Sequence, residues 1–163
     1  MRTLLTAIMV AMLVMAFGCS EAVRPIPVVT LLSAPNEFED AEPGTEYTGR
    51  VGLQVGDSEL GAAIYCWPEG NDYDELYGVY ALQYITDSNS IPLIDRIYLG
   101  AQATMDIDGE GGMYGFLVGA EREILGITVV TEFAYRNYQD AMANLYDTSS
   151  DEYIAHVGVK IPF

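Results

Sequence analysis

From Tyr47 to Phe163, apolar residues return at every second position in one segment after another. A side chain comes back to the same face every second residue only in an extended strand, so the pattern predicts an all-β chain. Helical periodicity is hard to find beyond residue 23. In "EYTGRVGLQVG", Tyr47, Gly49, Val51, Leu53 and Val55 share one face, while Thr48, Arg50, Gly52, Gln54 and Gly56 share the other. "LGAAIYCW" sets Leu60, Ala62, Ile64 and Cys66 against Gly61, Ala63 and Tyr65. "LYGVYALQYI" sets Tyr80, Leu82 and Tyr84 against Val79, Ala81 and Gln83. In "LIDRIYLGAQATM", Ile97, Leu99, Ala101, Ala103 and Met105 oppose Arg96, Tyr98, Gly100, Gln102 and Thr104. In "MYGFLVGAE", Tyr114, Phe116, Val118 and Ala120 oppose Gly115, Leu117, Gly119 and Glu121. In "ILGITVVTEFAYR", Leu125, Ile127, Val129, Phe133 and Tyr135 oppose Gly126, Thr128, Glu132 and Arg136. The closing "EYIAHVGVKIPF" sets Tyr153, Ala155, Val157, Val159, Ile161 and Phe163 against His156, Gly158 and Lys160.

These segments have the roughly 9–11 residues that a tilted membrane strand needs, against about 5–6 for the usual globular strand. The less apolar face carries Gly, Ala, Thr, Gln and Arg, which suits a narrow polar interior with the apolar face turned outward to hydrocarbon. Clear strands fill 47–163. Short turns, "GDSE" and "ERE", alternate with the longer "PEGNDYDE", "DIDGEGG" and "NYQDAMANLYDTSSDE". An even strand count needs one more strand before residue 47. Residues 24–33, "RPIPVVTLLS", are the only candidate, with Pro25 and Pro27 at the start, where a missing ladder donor is tolerated. The fold expected is an eight-stranded antiparallel transmembrane β-barrel.

Residues 1–18 read as a signal peptide: Arg2 precedes the apolar run Leu4 to Phe17, too short and wrongly flanked for a lasting membrane helix. "AFGCS" resembles the cleavage point of bacterial lipoproteins, which implies lipidation of Cys19. The remainder, 19–163, is expected to form a single barrel domain.

The terminal "YIAHVGVKIPF" resembles the C-terminal signal of bacterial outer-membrane β-barrels, a final aromatic preceded by apolar residues at alternate positions. Tyr153, Val157, Val159, Ile161 and Phe163 match it. The resemblance implies recognition by the barrel-assembly machinery and a place in the bacterial outer membrane, with membrane lipid as surroundings. More loosely, residues 24–163 resemble small eight-stranded barrels of the type seen in the membrane domain of outer membrane protein A. On this reading Tyr47, Tyr80, Tyr114, Tyr135 and Tyr153 face outward at the external end, and Tyr84 and Phe163 face outward at the periplasmic end.

Charge and motifs bound the function. The chain has 24 Asp and Glu against seven Lys and Arg, so nothing neutralises phosphates and nucleic acid is excluded as a partner. Most acids fall in presumed external loops: Glu37, Glu39, Asp40, Glu42, Asp72, Asp74, Glu75, Asp151 and Glu152. Arg50, Gln54, Arg96, Gln102, Glu132, His156 and Lys160 lie on the interior face and are expected to form a polar network, with Arg50 and Glu132, both in the outer half, as a direct pair. Arg136 and Glu121 share that phase near strand ends. No phosphate loop, metal-ligand cluster or nucleophile triad is present, and no cofactor is expected. His156 is the only histidine, without a Ser or Cys placed beside it by phase, so no enzyme activity is expected. The function expected is structural or surface interaction around a side-chain-filled lumen. The competing reading is a soluble lipoprotein, a β-sandwich or lipocalin-like binder of a small apolar ligand tethered through Cys19. A lipid A-modifying barrel enzyme is the third.

Overall fold

The structure, a computed structural model, describes residues 24–36, 44–69, 72–85, 93–105, 112–139 and 151–163. The signal segment and Cys19 lie outside the described residues. Eight antiparallel strands close into one barrel: β1 (Ile26–Asn36), β2 (Gly44–Val55), β3 (Ser58–Glu69), β4 (Asp72–Tyr84), β5 (Arg96–Met105), β6 (Gly112–Ile124), β7 (Ile127–Tyr138) and β8 (Asp151–Pro162). Neighbours in sequence pair with one another, and β8 pairs with β1 from Val28↔Pro162 to Ser33↔Val157. The Phe163 amide adds a bond of 2.9 Å to the Pro27 carbonyl.

The expected first strand exists, shifted to Ile26–Asn36. It pairs along its whole length with β2, from Ile26↔Gln54 to Asn36↔Gly44, and Pro27 and Pro35 flank the stretch Val28–Ser33 that is held from both sides.

Alternation then sorts every strand. Val28, Thr30, Leu32 and Ala34 of β1 are buried inside, as are Glu46, Thr48 and Arg50 of β2 and Glu59, Ala63 and Tyr65 of β3. Leu31, Val51, Leu53, Leu99, Phe116, Val118, Phe133 and Val157 stand exposed outside. Tyr47, Tyr114 and Tyr153 are exposed at the end of the barrel away from the chain termini, and Tyr135 packs against Tyr153 with ring centroids 5.2 Å apart. Phe163 is exposed at the opposite end.

Strand β4 has the opposite sidedness to the one expected. Tyr80, Leu82 and Tyr84 point inward and are buried, while Tyr77 and Gln83 face out. The tyrosine hydroxyls are the reason: Tyr80 donates to Glu59 and the Tyr84 oxygen lies against Glu59 and Glu121, satisfactions that an outward tyrosine would lose. Tyr77 takes the outward rim position instead.

Two connections also differ from expectation. "ERE" is not a turn. Strand β6 runs through it to Ile124, and the hairpin turns at Leu125 and Gly126, both with positive φ (54° and 82°). That is the backbone a two-residue hairpin needs to match strand twist. "PEGNDYDE" is mostly strand: β3 and β4 pair out to Glu69↔Asp72. Asp72, Asp74, Glu75, Asp151 and Glu152, expected in loops, therefore sit at strand ends. Glu37, Glu39, Asp40 and Glu42 lie outside the described residues.

Glycines make room for the inward rings. A methyl at Gly119 would meet Tyr98 Cζ at 2.1 Å, and one at Gly52 would meet the Tyr80 hydroxyl at 2.3 Å. The Tyr98 ring occupies the space a side chain would fill on the adjacent β6, and the Tyr80 ring reaches from β4 over Gly61 of β3 to the space at Gly52 of β2. Gly119→Ala is therefore expected to destabilise the barrel by about 1–3 kcal/mol, the usual cost of overpacking, and to cost much less when Tyr98 is also changed to Leu. Chemical unfolding of the two single variants and the double variant measures this coupling.

Candidate functional site in the barrel interior

An eight-stranded barrel encloses a space that side chains just fill. Here an ionic network shares that space with buried apolar side chains such as Leu76, Leu117 and Val130. Among the described residues, Glu46, Glu59, Glu121 and Glu132 are buried with Arg50, Arg136, Lys160 and His156. They fall into two clusters along the barrel axis.

The cluster farther from the chain termini centres on two arginine–carboxylate forks. Arg50 on β2 crosses to Glu132 on β7, donating Nη1 to Oε2 and Nη2 to Oε1, each at 2.7 Å. Arg136 on β7 reaches back to Glu46 on β2, with Nη1 to Oε2 at 2.6 Å and Nη2 to Oε1 at 2.5 Å. The planar guanidinium matches a carboxylate at two points, which fixes orientation as well as charge. Tyr98 donates to Glu132 Oε2 at 2.8 Å and Thr48 to Glu46 Oε1 at 3.2 Å.

His156 lies between the forks. Its Nε2 is 3.0 Å from Glu46 Oε1 and 3.0 Å from Arg136 Nη2, and its Nδ1 is 3.7 Å from Glu132 Oε1. The ring is sealed inside, with no serine or cysteine among its hydrogen-bonding neighbours in the described residues. Ser149 and Ser150 lie outside them. Two faces complete the layer: the Arg136 guanidinium is 5.3 Å from the Tyr65 ring centroid, and the Tyr65 hydroxyl donates to Gln102.

The second cluster sits nearer the chain termini. Lys160 donates to Glu59 Oε2 at 2.6 Å and to Glu121 Oε1 at 3.0 Å. The Tyr84 oxygen is 2.5 Å from the same Nζ, 2.9 Å from Glu59 and 2.8 Å from Glu121. Tyr80 donates to the other Glu59 oxygen at 2.8 Å. The clusters meet through aromatic faces: Arg50 lies 5.2 Å from the Tyr80 ring centroid, and Tyr84 meets Tyr98 edge to face at 5.6 Å.

Of the residues singled out from sequence, Arg50, Gln102, Glu132, His156 and Lys160 are buried within this network. Gln54 is half-buried at its lower margin, 3.4 Å from Lys160 Nζ. Arg96 differs: it keeps the inward phase but opens to solvent at the mouth, with its guanidinium 5.3 Å from the Tyr84 ring centroid. Glu46 and Glu59 complete three of the pairs and were not anticipated, although Glu46 shares the period-two phase of Arg50 and Glu59 that of Tyr65. Among the described residues no group of three or more metal-binding side chains is assembled.

Comparison with family models, with curated proteins and with solved structures returns no match to this chain.

A buried ion pair is costly to break because the remaining charge keeps its desolvation penalty. Glu132→Met or Arg50→Met alone should each lower unfolding stability by about 3–5 kcal/mol. The double change Arg50→Met with Glu132→Met is expected to recover most of that loss. A double-mutant cycle by chemical unfolding checks it.

Proposed function

We propose that this chain is an integral outer-membrane β-barrel with a structural or surface-interaction role and a lumen plugged by its own ionic network. One observation carries the proposal: the sidedness of a soluble protein is reversed. Glu132, His156 and Lys160 are 0%, 1% and 4% exposed, whereas Phe133, Phe116 and Val51 are 69%, 64% and 62% exposed. Water gives no reason to turn large apolar side chains outward on every side of a closed sheet. Hydrocarbon does, and it also demands that no backbone edge remain unpaired. Tyrosines at one rim and Phe163 at the other agree with a boundary between lipid and water.

A lipocalin-like or sandwich binder would need Val51, Leu99, Val129 and Val157 in a shared apolar core. Val51, Leu99 and Val157 are exposed, Val129 is half-exposed, and the interior carries a buried ionic network beside its apolar residues. Recognition of the Phe163 end by the barrel-assembly machinery, export of the chain and lipidation of Cys19 belong to the same proposal. A catalytic role is not part of it, since His156 is enclosed by Glu46, Arg136 and Glu132.

No helix among the described residues is long and apolar enough to cross a membrane, so any crossing by the described residues is made by strands. The folded protein should resist carbonate extraction from membranes and should change gel mobility on boiling. Release by carbonate with unaltered mobility would contradict the proposal. Planar-bilayer recording should show no stable open conductance, and a steady open level would contradict the plugged lumen.

A further inference from the structure

The barrel mouth near the chain termini holds a cavity of about 540 Å³, within the range of small-molecule sites. Its wall includes Gln54, Arg96, Glu123 and Thr128, from four different strands, all on the inward phase. Its floor is Lys160 with Glu121, whose charges already answer each other.

The rim charges divide unevenly. Asp95 is taken by Arg122 at 2.7 Å and by the Glu123 amide at 2.7 Å. Arg96 and Glu123 are exposed, face the same cavity, and form no ion pair among the described residues. They occupy diagonal positions across the β5–β6 ladder. Arg96 is opposite Glu121, and Glu123 lies two residues farther along β6, a rise of roughly 7 Å. The Arg96 guanidinium is also held over the Tyr84 ring.

We propose that this mouth binds a small zwitterion, of the amino-acid or short-peptide class, with its carboxylate on Arg96 and its ammonium on Glu123. A plain anion would meet Arg96 but also Glu123, Glu121 and Asp95. A ligand carrying both charges turns that mixture to advantage. Gln54 and Thr128 supply an amide and a hydroxyl to the intervening peptide groups, and Ile26 and Pro162 supply apolar wall. The site belongs to the closed barrel itself and does not rest on membrane placement.

The test uses trialanine as probe against the folded, isotope-labelled protein in detergent, read by backbone amide shifts. Saturable shifts are expected at the mouth. Arg96→Gln and Glu123→Gln should each weaken binding about tenfold, the scale of one charge-assisted hydrogen bond. N-acetyl-trialanine amide, which lacks both terminal charges, should bind at least tenfold more weakly than trialanine. Both side chains are exposed, so each variant should retain the wild-type amide spectrum away from the mouth. Absence of saturable shifts would overturn the proposal. So would equal binding of the capped peptide, or insensitivity to either variant.

Discussion

Closure of the sheet between β1 and β8 is the constraint from which the rest follows. Once Val28 to Ser33 pair with Pro162 to Val157, no strand keeps a free edge, and each side chain has only two destinations. A ring of eight strands encloses only enough space for its own side chains or one small ligand. What goes inside must be long enough to meet in the middle, and what stays outside must tolerate whatever surrounds the barrel. The chain sends its paired arginines, lysine and glutamates inward among tyrosines and aliphatic residues such as Leu76, Leu117 and Val130, and leaves Leu31, Val51, Phe116 and Phe133 outside.

The interior then has an electrostatic problem, which it meets by pairing across the barrel instead of along one strand. Arg50 and Arg136 each fork onto a carboxylate of the facing wall, linking β2 to β7 twice. Lys160 gathers Glu59 from β3 and Glu121 from β6. These cross-braces act on strands whose backbones pair only with their immediate neighbours. Tyrosines fill between them, rings as bulk and hydroxyls as donors, and glycines such as Gly119 and Gly52 leave the rings their space. A network of this kind favours one register over its neighbours, because a one-residue slip would carry every charge to the outer face.

Much of this was legible in the sequence, for a physical reason: strand period is exact, so phase survives where boundaries do not. The phases of Arg50, Gln102, Glu132, His156 and Lys160 place them inside without any coordinates, and the depth of Arg50 and Glu132 points to their pairing. Strand β4 resisted because both of its faces are apolar or aromatic. Tyr80 and Tyr84 suit either the outer boundary or the interior, and only partners on β3 and β6 decide between them. Those partners, Glu59 and Glu121, are contacts between strands that alternation cannot see. Strand ends resisted for a different reason. Acidic residues such as Asp72 and Asp151 look like loop, but the β3–β4 and β7–β8 ladders extend through them.

Sidedness in a bilayer is the claim on which the account stands, and collision accessibility reads it residue by residue. Spin labels placed singly at Val51, Phe116, Phe133 and Val157 in the reconstituted protein should collide freely with oxygen dissolved in lipid and scarcely with a water-soluble nickel chelate. Labels that met the chelate as readily as oxygen at those four positions would place the outer face in water and contradict the account.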